Sequence, residues 1–233
     1  MTFSSRITFL FFLVIHASGV VAQQPALTVD EVFGSDPLLY NGRYYTFYTP
    51  FNTGGNQYHT GTQFEIGSAT IRGVKYSDLL LNFDIYNQEV ILKYKLRTGA
   101  TNLIIVSDAW VEAFSLNNID FEIVTTTDTV KKIFQVIGNG PDRILYYWRK
   151  SLNLDSFYGA SNYTFSEAKR EMYILIDNKI LKYTNNKSFY KLFDTEKRVN
   201  VKDFMRNNNI RVKKAPDQSM RELIDYCNTL SAK

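Results

Sequence analysis

Six carboxylates, Asp84, Glu89, Asp108, Glu112, Asp120 and Glu122, crowd a short stretch of strand-like sequence. Two of them brought face to face would suffice for glycosidic hydrolysis, in which one carboxyl gives a proton and the other attacks or activates water. Asp84 is the most suggestive. It sits between Phe83 and Ile85 in the oily run YSDLLLNFDIYNQEVILKY, Tyr76–Tyr94, and an acid in an apolar pocket can be tuned for proton donation. Strand alternation gives a different reading. A two-residue turn at Asn87-Gln88 sets Ile85 opposite Val90, Phe83 opposite Leu92 and Leu81 opposite Tyr94 on one apolar face. The other face then carries Asn82, Asp84, Tyr86, Glu89, Ile91 and Lys93, so Asp84 is expected to face solvent, diagonal to Lys93. A slip by one residue would exchange the two faces, which pins the register. Alternation likewise assigns several of the other carboxylates to the surface.

The remaining reactive side chains are few. His16 and His59 are the two histidines, Cys227 is the one cysteine, and His16 falls in the leader segment described below. Zinc sites usually take three or four protein ligands, so a His/Cys metal centre is not expected. Cys227 lies on the apolar side of a predicted helix, where a thiol behaves as a small hydrophobe and not as a nucleophile paired with His59. The chain has no G-x-S-x-G elbow, phosphate-binding glycine loop or H-E-x-x-H helix. No catalytic, cofactor-binding or metal-ligating residue is therefore assigned, and no cofactor is expected. Aromatics offer another chemistry: Tyr44, Thr46 and Tyr48 share one strand face, Tyr45 and Phe47 the other, and Tyr58 lies in the adjoining loop. If the first face is exposed, it forms an amphipathic platform for a sugar ring or a protein partner.

The elements that must position these residues are mostly strands. Asn41-Gly42 predicts a tight hairpin between Leu38-Leu39-Tyr40 and Arg43 to Thr49, since such turns need positive φ. Runs at Phe64 to Ile71 and Val74 to Tyr76 flank a turn at Arg72-Gly73. Further strands are expected at Asn102 to Val106, Val111 to Leu116, Phe121 to Thr125, Lys131 to Ile137, Ile144 to Leu152, Met172 to Asp177 and Lys179 to Tyr183. Asp155 to Arg170 lacks clean alternation and reads as a long connection. From Ser188 the period changes. Short helices are predicted around Phe189 to Phe193 and Val201 to Met205, and a third begins at Ser219, whose spacing to Glu222 makes a capping box. The fold class is thus mainly β, an antiparallel meander, sandwich or barrel-like sheet followed by a short helical tail. Residues 38–186 form the β body and 187–233 the tail packed on it.

Before the body come an expected signal peptide, residues 1–22, and a polar leader, residues 23–37. Arg6 is the charged start, Ile7 to Ile15 the apolar stretch, and Val20 and Ala22 the small residues before a cut. Gln23 stands where a lipoprotein would need cysteine, which excludes lipid attachment there. A lone cysteine leaves no intramolecular disulfide, so core packing must hold this exported chain together.

The run GSATIRGVKYSDLLLNFDIYNQEVIL and the tail KSFYKLFDTEKRVNVKDFMRNNNIRVKKAPDQSMRELIDYCNTL together resemble a loose set of exported, uncharacterised bacterial cell-envelope proteins. The resemblance implies an envelope address, periplasmic, outer-membrane-associated or extracellular, and a β-then-α order. It hands over no reaction and no catalytic residues. Between Lys187 and Lys214 nine basic residues face three acidic ones. That excess suits an anionic membrane surface or an acidic envelope partner, while nucleic acid is not expected for an exported chain. The leading expectation is a non-enzymatic interaction or assembly module. The alternatives are a carrier of a lipid or other hydrophobic ligand in a sheet cavity, and a hydrolase using two carboxylates.

Overall fold

The computed structural model describes residues 36–96, 99–125, 130–157 and 160–231; the expected signal peptide and nearly all of the polar leader lie outside them. The chain is mainly β. A helical turn α1 (Pro37–Tyr40) and two short strands, β1 (Arg43–Tyr44) and β2 (Thr53–Gly54), precede the meander. The meander runs through β3 (Glu65–Ile71), β4 (Val74–Asp84), β5 (Glu89–Lys95), β6 (Thr101–Ile105), β7 (Val111–Leu116), β8 (Ile119–Thr125), β9 (Lys131–Ile137) and β10 (Arg143–Arg149). A hairpin of β11 (Leu152–Phe157) and β12 (Ala160–Phe165) follows, then β13 (Lys169–Ile176), β14 (Lys179–Tyr183) and helices α2 (Asn186–Tyr190), α3 (Thr195–Asn207) and α4 (Asp217–Ser231).

Eleven strands form one antiparallel sheet in the order β1-β6-β5-β4-β3-β7-β8-β9-β10-β13-β14, and β11-β12-β2 form a second, with β12 and β2 parallel. Were the large sheet flat, β6 and β9 would lie about 25–30 Å apart, six strand spacings. Instead Ile105 at the end of β6 and Ile133 in β9 line the same cleft. The first half is therefore rolled into a barrel-like trough. Its inside is filled by its own side chains, among them Leu81, Phe83, Val90, Leu92, Phe114 and Phe121, all buried. The second half takes a different cover. One face of β9, β10, β13 and β14 packs Ile144, Tyr146, Ile174 and Tyr183 against Phe189, Val201, Leu223 and Cys227 of the helices.

Several local expectations need correction. Leu38 to Tyr40 form a helical turn and not a strand, because Asp36 accepts from the Leu38 amide at 2.8 Å and Pro37 starts the helix with a ready-set φ. Gly42 is required by close approach and not by a hairpin: a Cβ there would meet the Ile105 carbonyl oxygen at 2.1 Å. The β4–β5 turn holds four residues, Ile85–Gln88, so Phe83 faces Val90 and Leu81 faces Leu92. That register is two residues from the expected one, which preserves every residue's face. Asp155 to Arg170, expected as a long connection, contains most of β11–β12. The third helix starts at Asp217, so Ser219 already lies in its first turn, and the capping box belongs instead to α2, between Asn185 and Ser188.

Candidate functional site

Asp84 does not face solvent. It is fully buried, because the loop before β3 closes over its face of the ribbon. The amide of His59 donates to the Phe83 carbonyl (2.9 Å), the amide of Ile85 to the Gln57 carbonyl (3.1 Å), and the Asn82 side chain to the carbonyls of Gly61 and Gln63 (3.0 Å each). Tyr58 forms a β-bridge with Asp84. The expected diagonal to Lys93 is absent from the register, in which Leu80 opposes Lys93.

Four donors converge on the Asp84 carboxylate. The amides of Tyr86 (2.9 Å) and Asn87 (2.8 Å) donate to Oδ1; the Asn87 side-chain amide and the Tyr45 hydroxyl donate to Oδ2, both at 3.0 Å. Gln57 Nε2 donates in turn to the Tyr45 hydroxyl at 2.8 Å. Burial pushes the Asp84 carboxyl above its ordinary value, and these donors partly offset the shift. With both oxygens engaged, Asp84 serves as an anchor joining the turn after β4 to the chain at Tyr45.

That anchor has a visible result on the surface. Tyr45 points inward to Asp84, and Phe47 packs on Tyr86 and Phe165, with ring centroids 6.1 Å away in each case. Their neighbours Tyr44 and Tyr48 then point outward, 69% and 88% exposed, and Phe51, in the turn that follows, is 90% exposed. The platform expected from alternation at Tyr44, Thr46 and Tyr48 is exposed, and Phe51 extends it. Tyr45 N–H pairs with the Leu103 carbonyl at 3.0 Å, tying the row to the edge of the large sheet. Tyr58 is half-buried beside it.

Four of the other five carboxylates separate into two places. Glu89 and Asp108 line a cleft of about 340 Å³, floored by residues such as Val90, Val111 and Ile133. Burial raises the Glu89 carboxyl, while Arg43, paired with it, acts in the opposite sense. Lys131 Nζ donates to the Asp108 carbonyl at 3.1 Å across the same rim. Asp120 and Glu122 line a shallower groove of about 630 Å³, where Glu122 pairs with Arg143 at 2.6 Å. Glu112 is exposed on β7.

His59 and Cys227 belong to different clusters. The His59 ring lies against Trp148 (4.8 Å between centroids) and Phe121 (5.5 Å), and burial, helped by Lys150, lowers its pKa to about 4. Cys227 is buried on the sheet-facing side of α4, its thiol pushed up to about 12 by burial. Among the described residues no three His, Cys, Asp or Glu side chains group as a metal site. No helix among them is long and apolar enough to cross a membrane.

Sequence reasoning overlooked one internal polar chain. Trp148 Nε1 donates to Gln135 Oε1 (2.7 Å), Gln135 Nε2 donates to Asp217 (2.6 Å), and Arg170 pairs with Asp217 at 3.5 Å while lying 4.2 Å over the Tyr146 ring. The signal was Gln135, the single polar residue in the apolar run of β9 from Ile133 to Ile137. This chain fastens the start of α4 to the sheet. Comparison of the sequence with protein-family models and curated proteins, and of the structure with solved structures, returned no match.

Proposed function

We propose that this chain is a non-enzymatic exported envelope protein that acts as an interaction or assembly module, with Tyr44, Tyr48 and Phe51 as its contact surface. The observation that carries this reading is the combination of three highly exposed large aromatics with a buried anchor beneath them. Aromatics exposed in a row favour a partner that can desolvate them. Holding the row in place beforehand lowers the ordering cost of binding. Export rests on the residues before the described body and on the sequence resemblance. A photo-crosslinking residue at position 48, in intact cells, followed by mass spectrometry, tests the proposal. It expects a specific envelope partner whose capture is lost in the Tyr44→Ser/Phe51→Ser variant. Capture of nothing specific, or capture unchanged in that variant, removes the proposal.

The cleft beside Arg43 supports a second reading, a carrier. Its volume of about 340 Å³ and its floor of Val90, Val111 and Ile133 under a charged rim suit a small amphiphile. Native mass spectrometry of the purified protein would show such a ligand as an added mass. Glu89 and Asp108 would serve a hydrolase in the same place, and aryl-glycoside turnover lost in Glu89→Gln would replace the non-enzymatic reading.

A further inference from the structure

The basic residues of the tail are not spread evenly. Helices α2 and α3 and the loop after them enclose an open groove of about 340 Å³ whose rim carries Lys202, Arg206 and Arg211. Half-buried Tyr190 supplies its accessible apolar part, over the edges of Met205 and Ile210, which are themselves buried, and no carboxylate lines it. The loop is firmly held. Asn186 Nδ2 donates to the Ile210 carbonyl at 2.8 Å, Asn186 Oδ1 accepts from the Val212 amide at 2.9 Å, and the Ile210 amide donates to the Met205 carbonyl at 2.8 Å. Arg206 has one acidic neighbour, Asp203 at 3.1 Å on the solvent side of the same helix. Lys202 and Arg211 make no ion pair among the described residues. Lys213 and Lys214 follow, both exposed.

Three cations gathered on one rigid face against a single carboxylate, Asp203, leave an excess of positive charge, and a negative surface brought against them relieves their repulsion. An acidic protein would need only the charges. A lipid surface uses the apolar floor as well, because headgroup phosphate and the first acyl carbons arrive together. We infer that this groove docks the protein on an anionic lipid surface, with Lys202, Arg206 and Arg211 at the headgroup level. The inference is independent of the aromatic row.

The test is sedimentation of the full chain with vesicles of phosphatidylcholine alone, or of phosphatidylcholine mixed with an equal amount of phosphatidylglycerol. Binding is expected only to the mixed vesicles. In the variant Lys202→Gln/Arg206→Gln/Arg211→Gln, partitioning should fall on the order of a hundredfold, since each basic residue at such a surface contributes about fivefold. A control with the same change of net charge, Lys95→Gln/Lys169→Gln/Lys179→Gln, alters exposed residues outside the groove and should lose less than about threefold. Circular dichroism confirms that both variants fold. Three results overturn the inference: no binding to mixed vesicles, equal binding to both compositions, or equal losses in the two variants. The first of these leaves the charged face to an acidic protein.

Discussion

The two halves of the large sheet solve the same problem in different ways. In the half from β9 to β14, amphipathic helices cover one face, and the residues that do so, such as Phe189, Val201 and Leu223, lie later in the chain with helical spacing. In the half from β3 to β8 the sheet rolls on itself to bury one face, and a loop without regular structure, Gln57 to Gln63, buries part of the other. The helical cover is written in periodic apolar residues. The loop cover is made of backbone amides and carbonyls that any sequence possesses. Burial of a polar residue such as Asp84 therefore follows from the loop's path, with little trace in the local pattern.

Substitutions in the two cores should have the largest effects and test whether the halves are separate. Phe83→Ala and Phe189→Ala each remove a fully buried ring and should cost about 3–5 kcal/mol in urea unfolding. His59, packed on Phe121 and on Trp148, and the β8–β9 ladder bridge the halves, so both variants should still unfold in a single transition. Two transitions would show that the halves fold as independent units.

Asp84→Ala leaves the Tyr45 hydroxyl, the Tyr86 and Asn87 backbone amides and the Asn87 side-chain amide without this acceptor, and should cost about 3 kcal/mol. Asp84→Asn keeps an acceptor oxygen and should lose about half as much. A loss under about 0.5 kcal/mol for Asp84→Ala would mean that the loop holds the ribbon without the carboxylate.

The pH dependence sharpens the contrast at the seam. His59 in the fold stays neutral down to about pH 4, whereas the unfolded imidazole takes up a proton near its ordinary value of 6.5. Across that interval the unfolded state binds more protons, so stability falls as the pH drops, by about 3 kcal/mol for this group. Asp84 works in the opposite sense, because its raised carboxyl favours the fold while protonated and loses that contribution as the pH rises through its folded value. Thermal unfolding of His59→Phe should show a shallower loss between pH 6.5 and 4 than the parent protein.

Smaller effects belong to charges at the rims. Arg170→Ala breaks the contact with Asp217 and the stacking on Tyr146, and should cost about 1 kcal/mol. Arg43→Ala removes a cation that is two-thirds exposed and should change stability by no more than about 0.5 kcal/mol, while still freeing Glu89 in the cleft.

Much of the architecture could be read from the chain. Val111–Leu116, Lys131–Ile137 and Lys179–Tyr183 lie where alternation put them. The inner face of the β4–β5 ribbon also holds, because an error of two residues in register leaves parity intact. Failures occur where structure depends on distant partners or leaves no apolar trace. Asn41-Gly42 carries hairpin chemistry, but Gly42 is needed for contact with β6, sixty residues away in sequence. The β11–β12 hairpin has Asn153, Leu154, Asn162 and Thr164 exposed, so neither of its faces writes a clean period. At the candidate site, alternation put Tyr44 and Tyr48 on one face and Tyr45 and Phe47 on the other, and the structure shows the first of these to be the exposed one. It missed the carboxylate beneath them, since four donors to Asp84 come from residues whose side chains alone would not announce it.

Asp84 holds the chain around Tyr45 and thereby presents the aromatic row. Amide hydrogen exchange of Asp84→Ala against the parent protein tests this most directly. Faster exchange is expected at Tyr45, whose amide is bonded to the Leu103 carbonyl, and at Tyr86 and Asn87, with protection in β13 unchanged. Unaltered protection at Tyr45, or a uniform rise across the whole sheet, would contradict it.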